Sequence, residues 1–447
     1  MSSPLISVIG GGLAGPEAAY QIARRGLRVR LYEMRPQVST PAHRTGGLAE
    51  LVCSNSLKSE AVDSAPWLLK RELRAAGSLL LDCAAGTAIP GGQALTVDRL
   101  RFSTAVEAGL RSLPGIEICR QEIADLGALP PGPTVIASGP LTSAPLTAQL
   151  EQLTGGAGLY FYDAISPIVE AGSVDRSRVF AASRYGKGGD DYWNCPLDRA
   201  EFECFYEALR QAESYPLHAF EEPRFFSACL PLEELARRGP ETLRFGPMKP
   251  VGLADPRTGR VPYAAVQLRR ESLRAESFNL VGFQNHLRQA EQARVLRLIP
   301  GLEQARFLRF GQVHRNTYLN APALLTPTLE LRPARAAGRG PYFIAGQLCG
   351  TEGYIEAIAT GLLAGLFAAE AAVPRPCPPP PRETALGSLI HYISASSPAD
   401  YAPANITFDL LPLPADGAPA DRAARRRRQC ARALAAFEDW WGALAPC

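Results

Sequence analysis

The junction between a short apolar run, Leu5-Ile6-Ser7-Val8-Ile9, and Gly10-Gly11-Gly12-Leu13-Ala14-Gly15 constrains this chain's fold more than any other stretch. The run is apolar and β-branched, as a strand buried on both faces requires. Glycines at 10, 12 and 15 spell G-x-G-x-x-G. Pro16 to Arg25 then reads as a helix, with proline early and Gly26 as its stop. Leu27 to Tyr32 supplies a second strand, and Glu33 stands at its end. Glycine turns alone are common; strand, motif, helix, strand and acid in register are not. In that order the glycines let the backbone approach a pyrophosphate seated on a helix N-terminus. Glu33 stands where a ribose hydroxyl would be bound. We therefore expect a dinucleotide held by Gly10, Gly11, Gly12, Leu13, Ala14, Gly15 and Glu33.

The regular strand–helix alternation of a dehydrogenase does not follow. Instead, Pro341 to Gln347 gives a late short strand ending in glycine, and Gly350 to Ala357 opens another helix. A late strand–glycine–helix unit that returns to the first is how two-part flavoproteins close over FAD. Gly346, Gln347 and Gly353 are accordingly expected at the flavin end, with FAD favoured over NAD. The fold class expected is α/β: a Rossmann-like, glutathione-reductase-like FAD-binding domain with an inserted α+β second domain. The divisions are 1–145 and 323–373 for the two parts of the FAD-binding domain and 146–322 for the insertion. Residues 374–447 form a Pro-rich linker, around Pro374 to Arg382, and a C-terminal segment with a helix from Asp421 to Ala443.

At 447 residues, with 46% hydrophobic and 20% charged residues, the chain has ordinary globular composition and length for two domains. A formal charge of +3 gives no global field, so a polyanion would have to meet a local basic patch. The apolar stretch from Ile355 to Val373 carries Glu356 and Glu370 and reads as too short and too polar to span a bilayer. The N-terminus lacks a basic signal region. A cytoplasmic protein with no membrane partner is expected.

Ten cysteines, at 53, 83, 119, 195, 204, 229, 349, 377, 430 and 447, form neither a CxxC pair nor a zinc-spaced cluster. That spacing argues against a dithiol reductase, and no metal site is expected. Most should be small buried hydrophobes. Two stand out. Cys53 sits in Glu50-Leu51-Val52-Cys53-Ser54-Asn55-Ser56-Leu57-Lys58-Ser59, a turn-like loop with Arg44 and Lys58 near in sequence. Cys229 stands just ahead of a helix expected after Pro231, a position that favours thiolate.

The residues resemble the folate- and FAD-dependent tRNA (uracil-5-)-methyltransferases, the TrmFO family, nearly end to end. The resemblance is carried by the glycine motif and by "YEMRP" (32–36), "TPAHRT" (40–45), "ELVCSNSLKS" (50–59) and "FGPMKPVGL" (245–253). It continues in "NLVGFQNHL" (279–287), "HRNTYLNAP" (314–322) and "AGQLCGTEGYIEA" (345–357). The related GidA/MnmG family shares the FAD core but has a longer chain. The resemblance implies methylation at C5 of the T-loop uridine of tRNA. The carbon would come from 5,10-methylenetetrahydrofolate and the reducing equivalents, through the flavin, from NADPH or NADH. Only one full dinucleotide fingerprint is present, so the nicotinamide nucleotide would visit transiently. Cys53 matches the family cysteine beside the flavin, and Cys229 the one that attacks uracil C6. The rival readings are exchanged thiol roles, a GidA-like modification of the wobble uridine, and a flavin-bearing tRNA-binding or chaperone protein.

Contacts to tRNA or folate are sought at Arg315 and Asn316, with His314, and at Lys249, beside Arg237, Arg238 and Arg244. For His314, Arg315 and Asn316, which could bind folate or flavin, an ordinary interface residue is an equal reading; the insertion-domain basic residues are rivals of the C-terminal arginines for tRNA phosphates. Arg425 and Arg426, in the run Arg425–Arg428, fit either phosphate contact or a solvated helix face. His43 reads as a loop histidine of structural kind rather than a base.

Overall fold

The computed structural model describes residues 4–40, 42–156, 158–187, 189–215, 230–271, 274–373, 377–399, 401–413 and 421–444, without the side chains of 158–165 and 312–316. The opening motif folds as its sequence dictates. Strand β1 (Ile6–Ile9) is wholly buried, helix α1 (Ala14–Ala23) follows the glycine turn, and strand β2 (Val29–Glu33) returns parallel to β1, with Ile6 opposite Val29. Pro16 lies in the first turn of α1, where its missing N–H costs no helical bond. The parallel sheet runs Tyr342–Ile344, Thr134–Ile136, β1, β2, Ile116–Arg120. Its outermost strand therefore comes from some 200 residues further along the chain than its neighbour, roughly the count between Ile136 and Tyr342.

The helix after that late strand, Tyr354–Ala372, packs along α1. A Cβ on Gly361 or Gly365 would strike the backbone of Ala14 or Ala18, so glycine is what lets the two helices touch main chain to main chain. By length and composition this helix would suffice to cross a bilayer, against the expectation that the stretch is too short and polar. It is buried along most of its length, with Glu356 wholly enclosed, because it threads the core between the sheet and the C-terminal segment.

That C-terminal segment joins the same core. Helix Ala385–Ala395 docks its N-terminus on buried Glu72, whose carboxylate accepts from Ala385 N at 2.7 Å and Leu386 N at 2.9 Å. Helix Arg422–Ala443, capped by Asp421, sets Trp440 Nε1 3.0 Å from the carbonyl of Pro378.

A second core lies under a six-stranded antiparallel sheet. Its order is Phe180–Ala181, Tyr192–Leu197, Ala264–Arg270, Ser277–Leu280, Ile168–Glu170, Phe307–Arg309. Period-two alternation divides the sheet cleanly. Trp193, Cys195, Val266, Leu268, Phe278 and Val169 face the core, under helices Arg199–Arg210 and Leu232–Arg237. Tyr192, Asn194, Gln267, Arg269 and Asn279 face the other way, toward the first domain. The chain leaves for this unit and returns from it along one ribbon, Gly158–Ile165 paired antiparallel with Gln312–Leu319.

Candidate functional site

At the β1–α1 turn the glycines answer to different constraints. Gly10 has φ +107°, and a Cβ there would strike the carbonyl of Ala137. A Cβ on Gly15 would strike the carbonyl of Gly10, while Gly12 faces open space. Two glycines close the turn and one keeps its mouth clear. Gly11 N donates to Glu33 Oε2 at 2.7 Å. Glu33 also accepts from Arg35 N at 2.9 Å, Nε at 2.8 Å and Nη2 at 3.1 Å. Burial pushes the Glu33 carboxyl upward, but the hydrogen bonds and charge of Arg35, with Gly11 N–H, more than offset it and leave its pKa below the usual value. Glu33 is thus a carboxylate held in one orientation by Arg35, a partner that reading the fingerprint alone does not reveal.

Across a cavity of about 460 Å³ stands the late unit. Gly346 (φ +74°) and Gly353 (φ +101°) take conformations that favour glycine. Gln347 donates to Glu352 at 3.2 Å. A Cβ on Gly353 would press on Lys58 Nζ, which is paired with Glu356 Oε1 at 2.5 Å and with Asn405. The cavity wall includes Gly10 to Ala14, Glu33, Gly346, Gln347 and Gly353, together with Cys53. Gly15 lies behind the turn, outside the wall.

The Cys53 loop is held from several directions. Tyr354, first residue of the late helix, accepts from Cys53 N at 3.0 Å and Ser54 N at 3.1 Å and donates to Cys53 Sγ at 3.5 Å. Burial, then the neighbouring thiol, raise the Tyr354 pKa well above its ordinary value, so the hydroxyl keeps the proton it donates. Arg309 Nη1 donates to Val52 O at 2.7 Å, and Arg269 Nη2 to Ser54 Oγ at 2.7 Å. Arg99 reaches Leu51 O and pairs with Glu271 across the domain seam. Asn55 Nδ2 donates to Arg270 O at 2.9 Å. None of these partners was legible in sequence, because Tyr354, Arg269 and Arg309 lie hundreds of residues from the loop they grip and no local pattern marks them.

The remaining candidates are dispersed. Cys229 lies outside the described residues; the helix expected after Pro231 is present as Leu232–Arg237. Arg315 and Asn316 lie on the connecting ribbon opposite Tyr162 and Phe161, their side chains outside the described residues. Lys249 is half-buried in the loop after helix Pro240–Phe245. Arg425 and Arg426 border a separate groove of the C-terminal helix, where Arg426 lies 5.3 Å from the Phe408 ring centroid. His43 Nδ1 is 2.6 Å from Thr40 Oγ1. Burial pushes the thiol of Cys83 up to about 11 and those of Cys349 and Cys430 up to about 12, so these stay protonated.

The two cradles fit an extended dinucleotide. The clear space over Gly12, at the N-terminus of α1, suits a pyrophosphate, and the glycine-lined far wall admits a flat ring beside Cys53.

A profile of the glucose-inhibited division protein A family matches residues 5–375. The methylenetetrahydrofolate--tRNA-(uracil-5-)-methyltransferase TrmFO of Solibacter usitatus is 58% identical, covering 99% of this chain and 100% of that protein. The protein of the same name from Koribacter versatilis is 54% identical over 97% of each. Among solved structures, GidA of Aquifex aeolicus superposes with a TM-score of 0.68 at 17% identity, covering 97% of this chain and 73% of that one, which shows a shared fold.

Proposed function

The chain belongs to the glucose-inhibited division protein A family and, within it, to the TrmFO methyltransferases, and from that premise we propose that it methylates C5 of the T-loop uridine of tRNA. Identity above 50% along nearly the whole chain carries the coarser statement, folate-dependent methylation of tRNA uracil at C5. The observation that supports thiol chemistry beside the cofactor is the placement of Cys53 on the wall of the dinucleotide cavity, in a loop bonded through Ser54 to Arg269 of the second domain; the T-loop position is what the family resemblance implies.

In this reading Gly10 to Ala14 hold the pyrophosphate of FAD, Glu33 its ribose, and Gly346, Gln347 and Gly353 border its ring. FAD, reduced by NADPH or NADH, supplies the redox chemistry by which the folate carbon becomes a methyl group. The protein supplies the activation of uracil. Uracil C5 is a weak nucleophile until a thiolate adds at C6, and Cys229 is assigned that addition. Once C5 carries the new carbon its proton must leave, and Cys53 is assigned to take it, after which the C6–S bond breaks. Tyr354 and the arginines fix the Cys53 loop, so that the base stands in one place. Cytoplasmic placement accords with a tRNA substrate and with the lack of any disulfide among the described cysteines.

Purified yellow protein, unmodified tRNA transcript, 5,10-methylenetetrahydrofolate and NADPH should yield ribothymidine in the T-loop, read by mass spectrometry. Cys229→Ala should abolish the product, and Cys53→Ala should reduce it by about two orders of magnitude or more, the scale of lost general-base catalysis. Product at the anticodon instead, or full activity in Cys229→Ala, overturns the assignment.

A further inference from the structure

One transverse row of the second domain's sheet differs in chemistry from the rest. Antiparallel register sets Tyr192 opposite Arg269, Arg269 opposite Asn279, Asn279 opposite Ile168, and Ile168 opposite Arg309. Directly paired residues project from the same face, and here that face looks onto the Cys53 loop. Arg269 and Arg309 are three strand spacings apart, roughly 14 Å at their Cα atoms, but they converge on Ser54 and Val52.

Arg309 stands in this row because of a bulge. Phe307 pairs with Val169 and Arg309 with Ile168, so Leu308 is the extra residue. In an unbroken strand Arg309 would share the face of Phe307, which packs against the second core. The inserted residue turns the guanidinium to the seam, as bulges beside functional sites do.

The row is also rich in idle donors. Arg269 Nε, Asn279 Nδ2, and Arg309 Nε and Nη2 are buried and have no hydrogen-bond partner among the described residues. Arg269 is 8% exposed and Asn279 3%, and Arg269 lines the dinucleotide cavity. Nearby carboxylates are engaged elsewhere: Glu271 with Arg99, Glu50 with Arg35 and with Thr45 N–H. Among the described residues no acid pairs with Arg269 or Arg309. Burial, then the charges of Arg99 and Arg44, press the Arg309 pKa down to about 10, as expected of a cation with neighbours of its own sign. Buried donors and uncompensated charge of this kind carry a desolvation cost that an anionic acceptor removes.

We propose that Arg269, Asn279 and Arg309 form an oxyanion-binding subsite on the seam beside Cys53, taking either a carboxylate of the glutamyl tail of folate or a backbone phosphate of the target RNA. Both present the planar or tetrahedral oxygens that guanidinium forks bind in charge-assisted pairs. The choice of ligands rests on the methyltransferase reading; the oxyanion chemistry does not.

The test uses FAD-loaded protein and equilibrium binding without turnover. The ligands are tetrahydrofolate, tetrahydropteroate (which lacks the glutamate), and unmodified tRNA transcript across a salt series. Arg309→Gln should weaken one ligand tenfold or more, with Arg309→Lys intermediate and bound FAD unchanged. Loss for tetrahydrofolate but not tetrahydropteroate identifies the carboxylate. Loss for the transcript, with the salt slope smaller by about one, identifies a phosphate. If both variants keep both affinities within twofold of wild type, the subsite is refuted and the donors serve water. If Arg309→Gln fails to retain FAD, Arg309→Lys alone decides, a threefold or smaller change in every ligand counting as refutation. A wild-type chain that methylates no tRNA, while Arg309→Gln still loses one of these ligands, sinks the methylation reading and leaves the subsite standing.

Discussion

The hydroxyl of Tyr354 does three things within one first coordination sphere: it takes the N–H groups of Cys53 and Ser54 and hands its own proton toward Cys53 Sγ. Removing it strands two N–H groups in a buried place, at about 1–3 kcal/mol for each group left unpaired. Tyr354→Phe keeps the aromatic ring on the cavity wall and should therefore retain FAD, and should lose at least roughly thirtyfold in methylation rate, the lower end of that energy, about 2 kcal/mol for the two groups, expressed as rate. A variant with unaltered single-turnover methylation would show that the Cys53 loop is fixed by its arginines alone. At this scale sequence reading sufficed to bring Gly10, Gly11, Gly12 and Glu33 to one turn and one cavity wall, since their positions lie within one local motif. It was blind to Tyr354, whose role depends on a contact between residues 53 and 354.

Among the elements, helix Ala385–Ala395 is docked on a carboxyl group whose protonation varies with pH. Burial pushes the Glu72 carboxyl up to about 8, against the pull of the Ala385 and Leu386 N–H groups, which favour the anion. The unfolded chain releases this proton near its ordinary value of 4.5, while the folded chain keeps it until about 8. Across that window the folded state binds more protons than the unfolded one, so rising pH erodes stability, by up to about 1.4 kcal/mol per unit. Below about 4.5 both states are protonated and the erosion vanishes. Glu72→Gln cannot titrate, so its urea midpoint should gain on wild type steadily from pH 5 to pH 8. A gap independent of pH would show that Glu72 is already ionised in the folded protein. The C-terminal helix itself was readable almost to the residue: it was expected from Asp421 to Ala443 and runs from Arg422 to Ala443, with Asp421 as its cap. The docking of the proline-rich stretch was not: a Pro-rich composition reads as a spacer, but the bond from Trp440 to Pro378 and the packing of Cys377 hold it against the core.

Taken whole, the molecule is two cores joined along a polar seam, which the Arg99–Glu271 pair crosses. Both side chains are largely buried, at 16% and 6% exposure. Removing one partner of a buried pair leaves the other uncompensated and costs about 3–5 kcal/mol. Glu271→Gln should thus loosen the seam, read in calorimetry as a second-domain transition displaced to lower temperature; an unchanged thermogram counts against this. The fold class was legible because both halves of the nucleotide cradle carry their own strand–glycine–helix grammar. The seam was not, since its register and the bulge at Leu308 are settled by pairing between distant strands.

The parallel sheet has one more consequence, in the order of synthesis. Its outer strand Tyr342–Ile344 and the helix that covers α1 are made after the entire second domain. While the ribosome is still translating that domain, the apolar flank of α1 and the rim of Thr134–Ile136 have no cover, and the dinucleotide cradle lacks its far wall. The nascent chain therefore cannot hold FAD at both ends at that stage, and loading of the flavin waits until the late strand and helix have emerged. Until the last hundred residues emerge, the half-built sheet is a surface that chaperones have reason to occupy.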